Sequence, residues 1–253
     1  MSARSLFGSQ MRRLRESAGL TREQLAEQTG YKAASIKAFE YCNRTPTPAL
    51  ASSLDRFFDT KGLFAGVQEE AEQETTTFGE LKESEQRAVS IRDWELGYVP
   101  GLLQTPRYAS ALLENSEDVD ERMERQRIFE RDNPPRVHAI ISEGILYNEI
   151  GGPAVLREQL EHLIRPDAPW TLQVMPDSAG SATGVDGPLI LLEFEGDEPA
   201  IAFLYSRGGG TVVDDATQVS EYWRQWECLT SDALSPTLSR EMIRAVIAEL
   251  PED

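Results

Sequence analysis

The chain has 253 residues, 40% of them hydrophobic, and a formal net charge of −18, which allows a small head and one larger body with a core of its own. No stretch approaches the ~20 consecutive apolar residues of a membrane helix, and no signal-like apolar run opens the sequence. Cys42 and Cys228 are the only cysteines, so no disulfide framework is expected and the chain reads as cytoplasmic.

The first predicted helix covers about residues 6–17. Phe7, Met11, Leu14 and Ala18 recur at spacings that place them on one helical face, while Arg12, Arg13 and Arg15 fall largely off that line. Gly19 stops the helix, because glycine accepts the left-handed conformation common just past a C-terminus. Thr21 and Gln24 form a T-x-x-Q capping box at the start of a second helix, in which Leu25 and Ala26 face inward. Gly30 supplies the turn that follows, and Tyr31 fills the corner behind it. A third helix is predicted over about 32–41, anchored by Ile36 and Phe39. Thr47 and Pro48 open a fourth, whose Leu50, Leu54, Phe57 and Phe58 close the core of a compact all-α domain.

That order of caps, turns and core positions is the pattern of a helix-turn-helix, although a small helical bundle without DNA shares parts of it. Lys32, Ala33, Ser35, Lys37 and Ala38 lie mostly opposite the anchors, small or cationic, as a helix entering the major groove requires. Lys32, Ser35 and Lys37 are expected at base edges or nearby phosphates. Arg22, Gln24, Asn43 and Arg44 complete the expected DNA-binding set, with Arg22 and Arg44 clamping phosphate. Residues 1–66 hold ten bases and six acids, a net +4 that leaves −22 for residues 67–253. A basic head on an acidic body fits a protein offering DNA one surface, and a single head reads only a half-site, so a homodimer on a double-stranded operator is expected. The acidity itself is read either as a solubilising surface or as a docking face for a basic partner.

Leu20, Thr21, Leu25, Ala26, Gly30, Glu40, Arg44 and Pro46 follow the pattern L-T-x-x-x-L-A, then G, then E-x-G-x-R-x-P, and the segment resembles the Xre-type, lambda-repressor-like family. It departs at Cys42, which occupies the usual glycine and shifts the turn to Asn43, and at the bulky Phe39 and Tyr41.

Domains are placed at 1–68 and 81–253 with a linker over 69–80, where QEEAEQETTT (68–77) reads as a linker or a solvent-exposed helix extension. In the body, residues 81–96 are predicted as a helix carrying Leu81, Ala88 and Ile91. VPGLLQTPRY is a turn followed by a helix start. Its Leu102, Leu103, Gln104 and Tyr108 form either a packed corner or a partner- or ligand-binding groove. Residues 118–131 make a charged helix in which Arg122, Arg125, Arg127 and Arg131 interleave with Glu121, Glu124 and Glu130, the mark of a salt-bridged, solvated surface. A helix is predicted over 153–164 with Val155, Leu156, Gln159, Leu160 and Leu163 inward. Strands are predicted over 137–142, 171–175, 189–194 and 200–205, and two helices over 219–229 and 238–250. Strands and helices mix without regular alternation, so the body is assigned to the α+β class.

The ordered series VPGLLQTPRYA, RMERQ, SEGIL, IGGPAVLREQLEHL, TLQVMP, GPLILLEF and ALSP resembles the C-terminal region of the WhiJ-like and Scr-type antitoxin-like actinobacterial regulators. The resemblance implies a DNA-binding regulator paired with a small partner protein, in some cases antitoxin-like.

No catalytic site, metal or cofactor is expected. His138 and His162 are the only histidines, and neither has a second ligand at metal-binding spacing. No G-x-S-x-G elbow appears. Gly208-Gly209-Gly210 lies between extended segments and reads as a turn. Gly151-Gly152-Pro153 starts a helix without the lysine of a phosphate-binding loop. Three functions stay open: a sequence-specific transcriptional regulator, an antitoxin-like partner that regulates its own gene, and a small-molecule-sensing regulator.

Overall fold

A computed structural model describes residues 3–41, 46–113, 115–179, 187–205 and 210–251. The chain divides into a first unit over residues 1–80 and a second built from residues 81–205 and 211–253. The expected class holds: a helical unit precedes a larger unit that mixes strands and helices.

Among the described residues the first unit is carried by α1 (Ala3–Ser17), α2 (Arg22–Thr29), α3 (Ala33–Glu40), α4 (Pro48–Phe58) and α5 (Leu63–Arg87), the last of which runs on beyond residue 80. Gly19 and Gly30 take the left-handed conformation, with φ of 67° and 77°. Both halves of the Thr21/Gln24 capping box are formed: the Gln24 N–H donates to Thr21 Oγ1 at 3.2 Å, and the Thr21 N–H to Gln24 Oε1 at 2.8 Å. Thr47 caps α4 through the Leu50 N–H and also meets the Tyr31 hydroxyl at 2.7 Å. Phe7, Met11, Leu25, Ile36, Phe39, Leu50 and Leu54 form the core, each contributing ~1.5–3 kcal/mol by leaving water. Phe64 of α5 joins them edge-on to Phe7, with ring centres 5.0 Å apart. Two predicted core positions are not in it. Ala18 and Phe57 are exposed: α1 ends at Ser17, and Phe57 lies off the line of Leu50, Leu54 and Phe58 that faces the core. Asp55 closes the start of α5, accepting from the Thr60 hydroxyl and from the N–H groups of Phe64 and Ala65.

Gly8 is a core position of another kind. A Cβ there would lie 2.6 Å from the carbonyl oxygen of Phe39 and 3.0 Å from that of Glu40, so α1 crosses the end of α3 backbone to backbone. Alanine normally favours a helix over glycine by ~1 kcal/mol. Here backbone overlap outweighs that preference, and Gly8→Ala is expected to destabilise the unit by ~1–3 kcal/mol in chemical denaturation.

The second unit is built on a mixed six-stranded sheet, β1 (Ser90–Glu95), β2 (Arg136–Ser142), β3 (Trp170–Met175), β4 (Leu189–Glu193), β5 (Ile201–Leu204) and β6 (Thr211–Val213), in the order β3-β2-β1-β4-β5-β6. β1 pairs in parallel with β2 and antiparallel with β4, so it is the central turning point of the sheet. Its presence corrects the helix predicted over 81–96: α5 stops at Arg87 and the chain enters the sheet at Ser90. Leu81, Ala88 and Ile91 fit a helical spacing by sequence, but two flanking strands satisfy the backbone of 90–95 instead. Gly208 and Gly209, expected in the turn between extended segments, lie outside the described residues.

Five further helices complete the unit: α6 (Pro106–Leu112), α7 (Ser116–Arg125), α8 (Pro153–Leu163), α9 (Ala216–Asp232) and α10 (Pro236–Glu249). α7 is shorter than the predicted 118–131 helix, since residues 126–130 tighten into a 3-10 turn. Trp94, Ile140, Met175, Leu189, Leu191 and Ala202 pack one sheet face against Val219, Trp226 and Leu229 of α9. β3 is a sheet edge, and the segment joining α9 to α10 covers it: Val174 accepts from the Leu234 N–H and donates to Ser239 Oγ, both at 2.9 Å. Gly151 and Gly152, both at positive φ, lead into α8, whose Val155, Leu156, Gln159, Leu160 and Leu163 are buried as predicted.

Candidate nucleic-acid interface

The candidate reading helix, α3, is fixed by a buried ionic network. Glu40 ends α3, and its side chain is completely inaccessible. Arg15 of α1 donates Nε to Glu40 Oε1 at 2.5 Å, and Arg22 of α2 donates Nε to Oε2 at 2.7 Å. Arg15 also donates to the Leu20 carbonyl at 2.9 Å. One carboxylate therefore ties three helices together. The hydrogen bond to Glu40 holds the Arg22 guanidinium above its ordinary pKa, and that guanidinium also stands 5.5 Å from the Tyr41 ring centre.

The sequence-predicted residues take these places in the arrangement. Arg15, expected off the apolar face, is 7% exposed and ion-paired. Arg22, expected to clamp phosphate, is engaged with Glu40, and its side chain is 30% exposed. Gln24 is exposed, and its Oε1 serves the capping box. Lys32 is exposed and Ser35 half-buried at the start of α3. Ala33 packs against the core and Ala38 is half-buried. Asn43 and Arg44 lie outside the described residues, as does Cys42.

Ala34, Lys37 and Tyr41 are exposed and recur at i, i+3 and i+7, so they share the outward face of α3. Ala34 and Tyr41 were not predicted as contacts, although the spacing from Lys37 carries them. The face has the composition of a groove-reading surface: a small residue for close approach, a cation and an aromatic ring.

Two family models match the sequence. A helix-turn-helix domain covers residues 6–63, and a Domain of unknown function (DUF5753) covers residues 78–245, more than half of the chain. The chain belongs to the DUF5753 family. No curated protein and no solved structure matches it. The helix-turn-helix domain points to a DNA-binding regulator. No helix among the described residues is long and apolar enough to cross a membrane.

The DUF5753 domain contains its own ionic centre, on the sheet face opposite Trp94. Glu85, at the end of α5, accepts both Nε and Nη2 of Arg125 at 2.9 and 2.7 Å, with both side chains buried. Asp93 of β1 lies beside this pair. Burial, then the charge of Glu85, push its carboxyl up to about 7 against the pull of Arg125 and Arg122. Burial and Asp93 raise Glu95 well above the usual carboxylate range, and burial with both acids raises the Tyr205 phenol. Burial and the neighbouring Arg125 lower Arg122.

These positions correct the reading of α7 as one solvated stripe. Arg127 is exposed and pairs with Glu124 and Glu130 as expected, but Arg125 is buried, and Arg122 donates inward to Gln104 Oε1 at 2.9 Å. Arg122 lies over Gly101, where a Cβ would be 2.8 Å from its Nη1. Leu102, Leu103, Gln104 and Tyr108 are all buried. Gln104 also donates to the Val99 carbonyl at 2.7 Å, and Gln159 of α8 bonds the backbone of Leu103 and Thr105 on either side. The histidines sit elsewhere: His138 is bonded to Gln173 at 2.7 Å and stands edge-on to Trp226, and His162 packs on Trp170. Burial lowers the pKa of both.

Proposed function

We propose that the protein is a cytoplasmic, sequence-specific transcriptional regulator of the Xre type, acting by binding and not by catalysis. It reads the major groove as a homodimer through the outward face of α3, with its DUF5753 domain in the regulatory role. The observation carrying this reading is the exposed line Ala34, Lys37 and Tyr41, with Lys32 beside it, on a helix held rigidly by Glu40. Pre-organisation of this kind lowers the ordering cost of binding.

Lys37→Ala is expected to weaken operator binding by ~10-fold or more and to alter base preference at one position per half-site. Operator selection from a random duplex pool, followed by titration of the selected site, measures both. An unchanged affinity and preference would remove Lys37 from the interface. A footprint spanning two half-sites about one duplex turn (~34 Å) apart would support the homodimer. The −22 carried by residues 67–253 supports a second, antitoxin-like reading, in which the acidic domain docks a small basic protein. Co-purification of such a partner with the full chain, lost at high salt, tests it.

A further inference from the structure

The ionic centre of the DUF5753 domain differs from a closed salt-bridge network. Glu85 and Arg125 satisfy each other in bidentate geometry, but the groups beside them do not. Asp93 is 3% exposed, and its Oδ1 meets no hydrogen-bond donor. In register it stands between Ala139 and Ile190, neither of which offers a side-chain donor. Among the described residues Arg122 forms no ion pair; its hydrogen-bond partner is the neutral Gln104. Glu95 is half-buried, with the backbone of Leu96 as its stabilising hydrogen bond. Among the described residues three carboxyl groups, Glu85, Asp93 and Glu95, thus lie beside two guanidinium groups, Arg122 and Arg125, and burial holds Asp93 and Glu95 toward their neutral forms.

A buried carboxylate oxygen without a donor is strongly unfavourable, and it is relieved either by taking up a proton or by a bound group that completes it. We propose that Asp93 and Glu95 form a binding site for a small organic cation bearing N–H donors, an alkylammonium or a guanidinium. Such a group supplies the donor that Asp93 Oδ1 lacks, and its positive charge favours the ionised form of both carboxyls. A metal ion fits less well: Glu85 is occupied by Arg125, and among the described residues no three His, Cys, Asp or Glu groups converge as metal ligands. The site lies wholly within the second unit and stands independently of DNA binding.

Calorimetric titration of the full chain with butylammonium and with methylguanidinium, at about pH 8.5, tests the assignment. Saturable one-to-one binding is expected for at least one probe. Tetramethylammonium, a cation without N–H groups, is expected to bind at least ~10-fold more weakly, the worth of one charge-assisted hydrogen bond. The charged groups facing Asp93 are Glu85 of α5, Glu95 of β1, Arg122 and Arg125 of α7, and Tyr205 after β5. Binding should weaken as the pH falls below about 7, where Asp93 takes up its proton. Asp93→Asn and the half-buried Glu95→Gln should each weaken binding ~10-fold or more while keeping native tryptophan fluorescence, and either variant alone, if folded, decides the outcome. Absence of binding by both probes, equal binding of tetramethylammonium, or parental affinity in the folded variants would overturn the site.

Discussion

Glu40→Ala is expected to cost the first unit ~3 kcal/mol, because it removes the buried counter-charge of Arg15 and leaves that guanidinium only the exposed Glu16 at 3.3 Å. Arg22 loses its partner as well, but at 30% exposure it can turn toward water, so Arg15 dominates the penalty. Trp94, Trp170, Trp223 and Trp226 all belong to the second unit, which separates the two readouts. Far-UV helical signal should therefore be lost at lower denaturant in the variant, while the tryptophan transition stays in place. Operator affinity should fall with it, since α3 would no longer be pinned to α1 and α2. A destabilisation below about 1 kcal/mol would show that the network is dispensable to the fold.

Asp93→Asn is expected to act in the opposite direction, stabilising the second unit by up to ~4 kcal/mol at pH 8. The ordinary carboxyl value is 3.8 and the folded value about 7, so between them the folded chain holds a proton that the unfolded chain has released. Stability contributed by this group is complete below the lower value, falls as pH rises through the window, and stays reduced above the upper one. Asparagine keeps the shape and removes the titration, so the gain should be large at pH 8 and nearly absent at pH 4. Denaturant midpoints followed by tryptophan fluorescence at the two pH values measure it. A variant less stable than the parent at pH 8 would mean that Arg122 and Arg125 fully support the carboxylate. Stabilisation joined to loss of cation binding is the exchange expected when a binding group is held in an unfavourable setting.

The helical unit was legible because its information is local. Thr21 with Gln24, Gly19, Gly30 and the Thr47-Pro48 start each act within one turn of helix, and their consequences appear at those positions. The buried face of α8 was equally readable from its period. β1 was not: I-R-D-W-E mixes charge with apolar residues, and only its place between β2 and β4 explains why its backbone is extended and paired on both edges. Arg92, on the Trp94 face, is neutralised there by Glu193 at 2.7 Å and stacks over Trp223 at 4.2 Å.

Periodicity also could not tell which charges go inside. Arg122, Arg125 and Arg127 look alike in R-M-E-R-Q-R, yet one lies over Gly101, one is locked to Glu85 and one is solvated. In the same way Arg15 and Arg12 differ only in whether Glu40 can reach them.

A capped helix-turn-helix followed by a mixed strand-and-helix body can be read from residue order alone, because caps, turns and apolar periods are properties of neighbouring residues. Only the tertiary structure decided which ions are buried, which residues face outward on α3, and that Asp93 Oδ1 ends without a donor. Those outcomes depend on partners such as Glu85, 40 residues from Arg125, and Glu40, 25 residues from Arg15. The free energy of a charge is set by its three-dimensional surroundings, which no local pattern records.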